Sequence, residues 1–211
     1  MTDYQPIEYS LPPDCPLVLT PDQERRLEEL ATWLAERAHP LGLTNYPSAA
    51  AVLKHHLSPN FSLFCLVPPP LSGPVLDLGA GCGALGLTLA LLDPELSVLL
   101  ADRRRRSARF IALTAARLAL PNAHAMQVDA EALAKNSPAA FNLVCFRALA
   151  PAPLALALAA PLLRPDGSVA VWHQSSDQGF LQPPPPWECL QTADTSLPGL
   201  SVSQMKLAVR G

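Results

Sequence analysis

The chain has 211 residues, a net charge of −3, 49% hydrophobic and 16% charged residues. That is enough to bury a core in one ordinary domain with an extension, and the acidic balance speaks against a freestanding nucleic-acid clamp. No apolar run is long and clean enough to span a bilayer, and the first residues lack a charged-then-apolar leader, so a cytoplasmic location away from membranes is expected.

Residues 1–19 are broken by prolines and read as irregular. Thr20 then opens a helix: it can cap, Pro21 suits the first helical position, and Gln23 completes a capping box. Leu27, Leu30, Leu34 and Ala38 recur at helical spacing, and Pro40 ends the pattern. A second, shorter helix is expected from Ser48 to Leu57 and a third apolar segment from Phe61 to Val67, closed by Pro68-Pro69-Pro70. Residues 1–70 thus form a helical extension.

From residue 71 to 211 the pattern is a different one. Short apolar strands are predicted at Val75–Leu78, Ser97–Ala101, Ala125–Val128, Asn142–Phe146 and Ser168–Trp172. Helices between them begin near Ala84, Arg105 and Pro153. Such alternation predicts an α/β fold, a Rossmann-like doubly wound sheet that is mostly parallel and covered on both faces. Trp187–Gln191 and Ser201–Val209 read as a closing antiparallel hairpin, and the two parts are expected to form one compact unit. The five cysteines include no CxxC pair, so no metal site is expected.

The most informative stretch is Val75-Leu76-Asp77-Leu78-Gly79-Ala80-Gly81-Cys82-Gly83. A strand ends in an acid and three alternate glycines, and an apolar helix follows; small residues there let the backbone approach a nucleotide-like ligand. The embedded GxGxxG, from Gly81 to Gly86, also matches the dinucleotide fingerprint. Two features oppose that ligand. Gly79-Ala80 intervenes between strand and fingerprint, and Asp77 would face a pyrophosphate anion. A cationic ligand without phosphate, such as S-adenosylmethionine, reverses the sign, and Asp77 can then orient the loop amides or an ammonium.

Asp102 ends the next strand, where a carboxylate can accept both ribose hydroxyls; the alternative is a helix cap before the arginine run. That run, with Arg103, Arg104, Arg105, Arg106 and Arg109, supplies most of the basic surplus of the sheet region. Residues 72–175 carry a charge of +2, against −4 for residues 1–60. Arginines at a helix start oppose its dipole, so the cluster either grips phosphates or is a solvated face.

With these residues assembled, the chain resembles the bacterial 16S rRNA guanine-N7 methyltransferases of the RsmG (GidB) family. The likeness runs from about residue 20 to 174. It is carried by the first helix, Leu43-Thr44, Lys54-His55-His56-Leu57, the glycine loop, and Ala101-Asp102 with Arg106, Arg109 and Phe110. Ala130-Glu131, Arg147-Ala148 and Pro165-Asp166-Gly167 complete it.

The resemblance implies an S-adenosylmethionine-dependent enzyme of the class I fold acting on 16S rRNA or a small ribosomal subunit particle, as a monomer. It implies that Asp77, Gly79, Gly81 and Ala84 border the cofactor, that Asp102 takes its ribose, and that Ala130 and Glu131 border its adenine. Arg147 would face the methyl-transfer site, as catalytic and cofactor-contacting residue, and Arg106 and Arg109 would face RNA; for Arg147 an ion pair or a surface arginine at the strand end is the alternative.

The chain departs from the family at three places: Asp129 where an arginine is usual, His173-Gln174 where Lys-Gly is usual, and Ser58 where an acid is usual. A diverged methyltransferase with another RNA or a small-molecule substrate, or a cofactor-binding protein without catalysis, are the alternatives.

Overall fold

The computed structural model describes residues 9–12, 15–67 and 71–207. Residues 1–8, the prolines at 68–70 and the final positions expected in the last strand lie outside the described residues.

Helix α1 (Pro21–Trp33) opens on the expected capping box: Gln23 N–H donates to Thr20 Oγ1, and the Thr20 backbone N–H donates to the Gln23 side chain. Beyond Trp33 the helix widens into an i→i+5 turn over Leu34–Ala38 and stops before Pro40. Ser48 caps α2 (Ala49–Val52) through the N–H of Ala51. A second wide turn (Leu53–Leu57), a tight turn (Ser58–Ser62) and α3 (Leu63–Leu66) follow without a break. The expected second helix and third apolar segment are therefore one irregular helical path, buried from Leu57 to Phe64 and open to solvent at Lys54.

The sheet has seven strands: β1 (Val75–Leu78), β2 (Val98–Asp102), β3 (Ala123–Gln127), β4 (Phe141–Arg147), β5 (Leu163–Gln174), β6 (Trp187–Asp194) and β7 (Leu200–Leu207). Their order is β3-β2-β1-β4-β5-β7-β6. The first five run parallel, and β7 and β6 are antiparallel additions at one edge. Strand order reverses between β1 and β4, and a crevice at the strands' carboxyl ends opens at such a switch point. The helices of the sheet region are α4 (Ala84–Leu92), α5 (Arg105–Arg117), α6 (Ala130–Asn136), α7 (Ala152–Ala159) and α8 (Gln178–Leu181).

In the central strands alternate residues enter two separate cores. Ala170 and Trp172 of β5 pack with α4, α5 and the N-terminal helices; Val169 and Val171 pack with α6 and α7. Burial on both faces explains why the parallel strands read as apolar runs. Polar contacts fasten the N-terminal helices to the sheet region: Trp33 Nε1 donates to Thr114 Oγ1 (3.0 Å), Arg26 Nη2 to Leu118 O (2.7 Å), and Trp172 Nε1 to Pro59 O (2.8 Å).

Two differences from the sequence reading have physical causes. Strand β5 starts at Leu163, before Pro165-Asp166-Gly167, because a register shift against β4 absorbs those residues. Helix α6 was not expected. It is seven residues long and buries only Leu133, too little for a helical apolar pattern, and it is held at its start by Asp129.

Candidate active site

The loop from Gly79 to Gly83 joins β1 to α4. Both Gly79 N–H and Ala80 N–H donate to Ala101 O, at 2.8 and 3.0 Å, which pins the loop to the end of β2. Gly79 has φ 76°, and a Cβ there would lie 2.6 Å from Leu149 Cδ1. The left-handed conformation demands glycine at that point, while the Leu149 methyl is the flexible end of a side chain.

Asp77 lies inside this turn. Its Oδ2 accepts the Gly86 N–H at 2.8 Å, tying β1 to the first turn of α4. Burial pushes its pKa up to about 7; the Gly86 bond and Arg147 offset part of that, and Asp102 adds to it. Ala84 is also buried, its carbonyl accepting from Asn60 Nδ2 at 3.2 Å. Asp77 and Ala84 lie buried beneath the loop, Gly81 is half-buried and bonded to Asp102, and none of the three is among the residues lining the adjacent cavity.

That cavity, about 440 Å³, opens at the carboxyl ends of β1, β2 and β3. Leu78, Gly79, Asp102, Val128 and the Ala130-Glu131 pair at the start of α6 line it. Asp102 receives four donors. Gly81 N–H reaches Oδ2 and Arg104 N–H reaches Oδ1, both at 2.8 Å. Arg104 Nε and Nη2 reach the two oxygens at 3.2 and 3.3 Å. Partial burial opposes the charge, but the bonds from Arg104 and Gly81 outweigh it and hold the carboxyl below its usual pKa. Asp102 thus fixes the loop and the entry to α5 while facing the cavity, although the N-cap position of α5 is Arg104 and not Asp102. The Arg104 side chain is 57% exposed, against 4% for Asp102, so the arginine is the movable partner.

Arg147 ends β4 and faces a second, smaller cavity of about 220 Å³ between the ends of β4 and β5. Its guanidinium is held by the N-terminal helices: Nη1 donates to His56 O (3.3 Å), and Nη2 lies 2.6 Å from His56 Nδ1. Burial, the Arg147 charge and His55 lower the His56 pKa to about 3. Tyr46 stacks on His55 with 5.1 Å between ring centroids and meets His56 edge-on at 5.0 Å. Among the described residues Arg147 has no carboxylate within ion-pair distance, so the ion-pair alternative is not what the structure contains. Ser58, where the family usually has an acid, instead buries a hydroxyl that has no hydrogen-bond partner among the described residues.

The other departures also have local reasons. Asp129 caps α6, its Oδ1 accepting Ala132 N–H at 2.7 Å. His173 is buried, with Nδ1 2.7 Å from Gln174 O and Nε2 2.9 Å from Ser203 Oγ, so it is a satisfied core histidine. Arg106 and Arg109 are exposed on α5, and among the described residues neither makes an ion pair.

Sequence reasoning missed His56 as the partner of Arg147, Arg104 as the partner of Asp102, and the second cavity. Each depends on a side-chain direction or a long-range approach that spacing does not carry.

The sheet order, the antiparallel edge hairpin and the cavity beside a glycine loop define the fold of class I S-adenosylmethionine-dependent methyltransferases. The family model for GidB, rRNA small subunit methyltransferase G, matches residues 23–207, and the chain belongs to that family. A ribosomal RNA small subunit methyltransferase G from Xanthomonas campestris is 38% identical over 102 residues, which spans 48% of this chain and 47% of that relative. The chain is thus matched to about half the length of that relative. A ribosomal RNA small subunit methyltransferase G 1 from Syntrophobacter fumaroxidans is 30% identical over 198 residues, 88% of this chain and 86% of the relative. Among solved structures, the mitomycin 7-O-methyltransferase MmcR superimposes with a TM-score of 0.60 at 12% identity, covering 90% of this chain and 69% of that one. That likeness concerns the fold.

Proposed function

We propose that the protein is an S-adenosylmethionine-dependent methyltransferase acting on guanine N7 of 16S rRNA, free or in a small ribosomal subunit particle. The proposal includes a monomer working in the cytoplasm, with residues 1–70 as a helical extension of the sheet domain. Among the described residues no helix is long and apolar enough to cross a membrane. The observation that carries the reading is Asp102, an acceptor-only carboxylate at a cavity beside the glycine loop, in a chain of this family.

The residues present fit the cofactor. Asp102 would take the ribose diol, Gly79 leaves room for close backbone approach, and Ala130 and Glu131 would border the adenine between Leu78 and Val128. When bound, the cofactor supplies a methyl group on a sulfonium. Guanine N7 accepts it with its own lone pair and has no proton to lose, while the electrons of the broken sulfur–carbon bond stay on sulfur. No side chain therefore has to act as a base. The chain's task is to hold N7 in line with the methyl group, which is a positional contribution. Arg147 cannot stabilise the new positive charge on guanine, so it holds a neutral or anionic oxygen instead. Arg106 and Arg109 would meet RNA phosphates.

Isothermal titration with S-adenosylmethionine tests the cofactor, and absence of binding would overturn the reading. Mass analysis of 16S rRNA from a strain lacking the gene tests the substrate. Loss of N7-methylguanosine at the decoding-region site is expected, and unchanged modification there would exclude that substrate.

A further inference from the structure

We propose that Asn60 is a positioning residue for methyl transfer: its side-chain amide holds Arg147 in fixed relation to α4, the helix that follows the glycine loop. This rests on the methyltransferase reading above and adds a residue that lines neither of the two cavities at the strand ends.

Asn60 lies in the tight turn Ser58–Ser62, on the side of the sheet covered by the N-terminal helices. The turn is fastened to β5 through Pro59 O, which accepts Trp172 Nε1. Just before the turn, His56 holds Arg147 at the end of β4. Asn60 supplies the connection to α4. Its Nδ2 lies 2.9 Å from His56 O, 3.2 Å from Ala84 O and 3.4 Å from Thr88 Oγ1.

Two of these acceptors belong to the site. The His56 carbonyl accepts both Asn60 Nδ2 and Arg147 Nη1, so both of its lone pairs are used. Ala84 is the first residue of α4, directly after Gly83 of the glycine loop. One amide group therefore stands between the carbonyl that holds Arg147 and the residue that ends the loop.

The direction of the amide follows from its neighbours. Thr88 Oγ1 donates its proton to Ala84 O at 2.6 Å, and so can only accept from Asn60. Nδ2 thus faces three acceptors, and the reversed amide would set an oxygen against all three. Oδ1 is left without a hydrogen-bond partner among the described residues, although Asn60 is fully buried.

A buried acceptor without a partner costs stability. The turn does not need an amide at this position to reach the sheet, since Pro59 makes that contact. An apolar side chain of the same size would remove the orphaned oxygen and would also release α4 from the His56 turn. What the asparagine keeps, at that cost, is the spacing between the loop that seats the cofactor and the arginine at the end of β4. Transfer to N7 is limited by alignment, and a displacement of about 1 Å can cost up to a hundredfold in rate.

The test uses small ribosomal subunits from a strain lacking the gene as substrate. Asn60→Leu keeps the bulk and removes the donor. Asn60→Ser has a hydroxyl that can bond the His56 carbonyl four residues back, which preserves the local turn while giving up α4. Urea unfolding shows that each variant is folded under assay conditions. In both, kcat should fall about fivefold or more, while KM for the subunits and the dissociation constant of S-adenosylmethionine, read by titration calorimetry, change less than about twofold. A role in stability alone would leave kcat of the folded variants unchanged.

A double-mutant cycle with Arg147→Lys, which keeps the charge and loses the planar fork, tests the route. If Asn60 acts through Arg147, each double variant should be no slower than its slower parent within about twofold, whereas independent effects multiply. Multiplying effects, or an unchanged kcat in the folded Asn60 variants, would overturn the proposal and leave the methyltransferase reading intact. A wild-type protein that binds cofactor and leaves the subunits unmethylated would overturn the substrate reading and this proposal with it.

Discussion

Arg147 Nη2 lies 2.6 Å from His56 Nδ1. A guanidinium can only donate, so Nδ1 must be the acceptor, and His56 is neutral with its proton on Nε2. The last residue of β4 is thereby oriented by a helical turn 91 residues earlier in the chain. A His56→Leu variant keeps the bulk and removes the acceptor. It should lower kcat about tenfold through misplacement of Arg147, with cofactor affinity nearly unchanged, and His56→Gln should restore part of the loss. Arg147→Ala should abolish methylation while the protein stays folded by circular dichroism. Full activity in either alanine or leucine variant would remove the pair from the site.

The same histidine and Asp77 give stability an unusual pH dependence. The His56 pKa falls to about 3, so the folded state resists its protonation and stability rises with pH between about 3 and 6.5. The Asp77 pKa rises to about 7, so the folded state holds its proton longer than the unfolded state, and stability falls with pH between about 4 and 7. The two slopes, each at most about 1.4 kcal/mol per pH unit, oppose one another between about 4 and 6.5. Urea unfolding across that window should show an upward slope with pH in Asp77→Asn and a downward slope in His56→Gln. Parallel profiles for the two variants would refute the assignment.

Arg104 and any ligand diol compete for the same carboxylate oxygens of Asp102. Removing the arginine and removing the acid should therefore have opposite effects on cofactor binding. Arg104→Ala should tighten S-adenosylmethionine binding by about two- to fivefold, the scale of an exposed ion pair, and Asp102→Ala should weaken it by about tenfold or more. Titration calorimetry reads both. Weaker binding in Arg104→Ala would mean that the arginine holds the ligand instead of giving way to it.

Gly86 marks where α4 approaches the sheet. A Cβ there would lie 2.7 Å from Leu100 Cγ and 3.0 Å from Asp77 Oδ2. Neither neighbour is free to yield, since Leu100 is buried in β2 and Asp77 is bonded to the Gly86 amide itself. Gly86→Ala should cost about 1–3 kcal/mol of stability, read from chemical denaturation.

The exposed arginines of α5 should act through charge alone. Arg106→Gln and Arg109→Gln should each weaken binding to a 16S rRNA fragment and reduce the salt slope by about 0.7, the value for one phosphate contact on a single strand. Fluorescence anisotropy across salt concentrations measures both. An unaltered slope would return these residues to an ordinary solvated surface.

Much of this was legible in the chain. The capping box at Thr20 and Gln23, the strand-loop-helix at Val75–Ala84 and the acid ending β2 are local patterns, and local chemistry builds them. Helix α6 was not legible, because one buried leucine in seven residues leaves no periodic signal. Asp77 was read as orienting either backbone amides or a ligand ammonium; the structure places its carboxylate on the Gly86 N–H, a backbone amide in the first turn of α4. Spacing told which end of the strand it occupies. It could not tell which way the side chain turns.

The sequence by itself determined the sheet's nature, the glycine loop and the position of Asp102, since alternation, glycine conformation and strand-end chemistry act over a few residues. Only the tertiary structure decided what Asp102 and Arg147 touch. Arg104 folds back on Asp102, and His56 crosses from the N-terminal helices to Arg147. The first pair is close in sequence and is decided by side-chain direction; the second joins elements distant in sequence and is decided by how they pack.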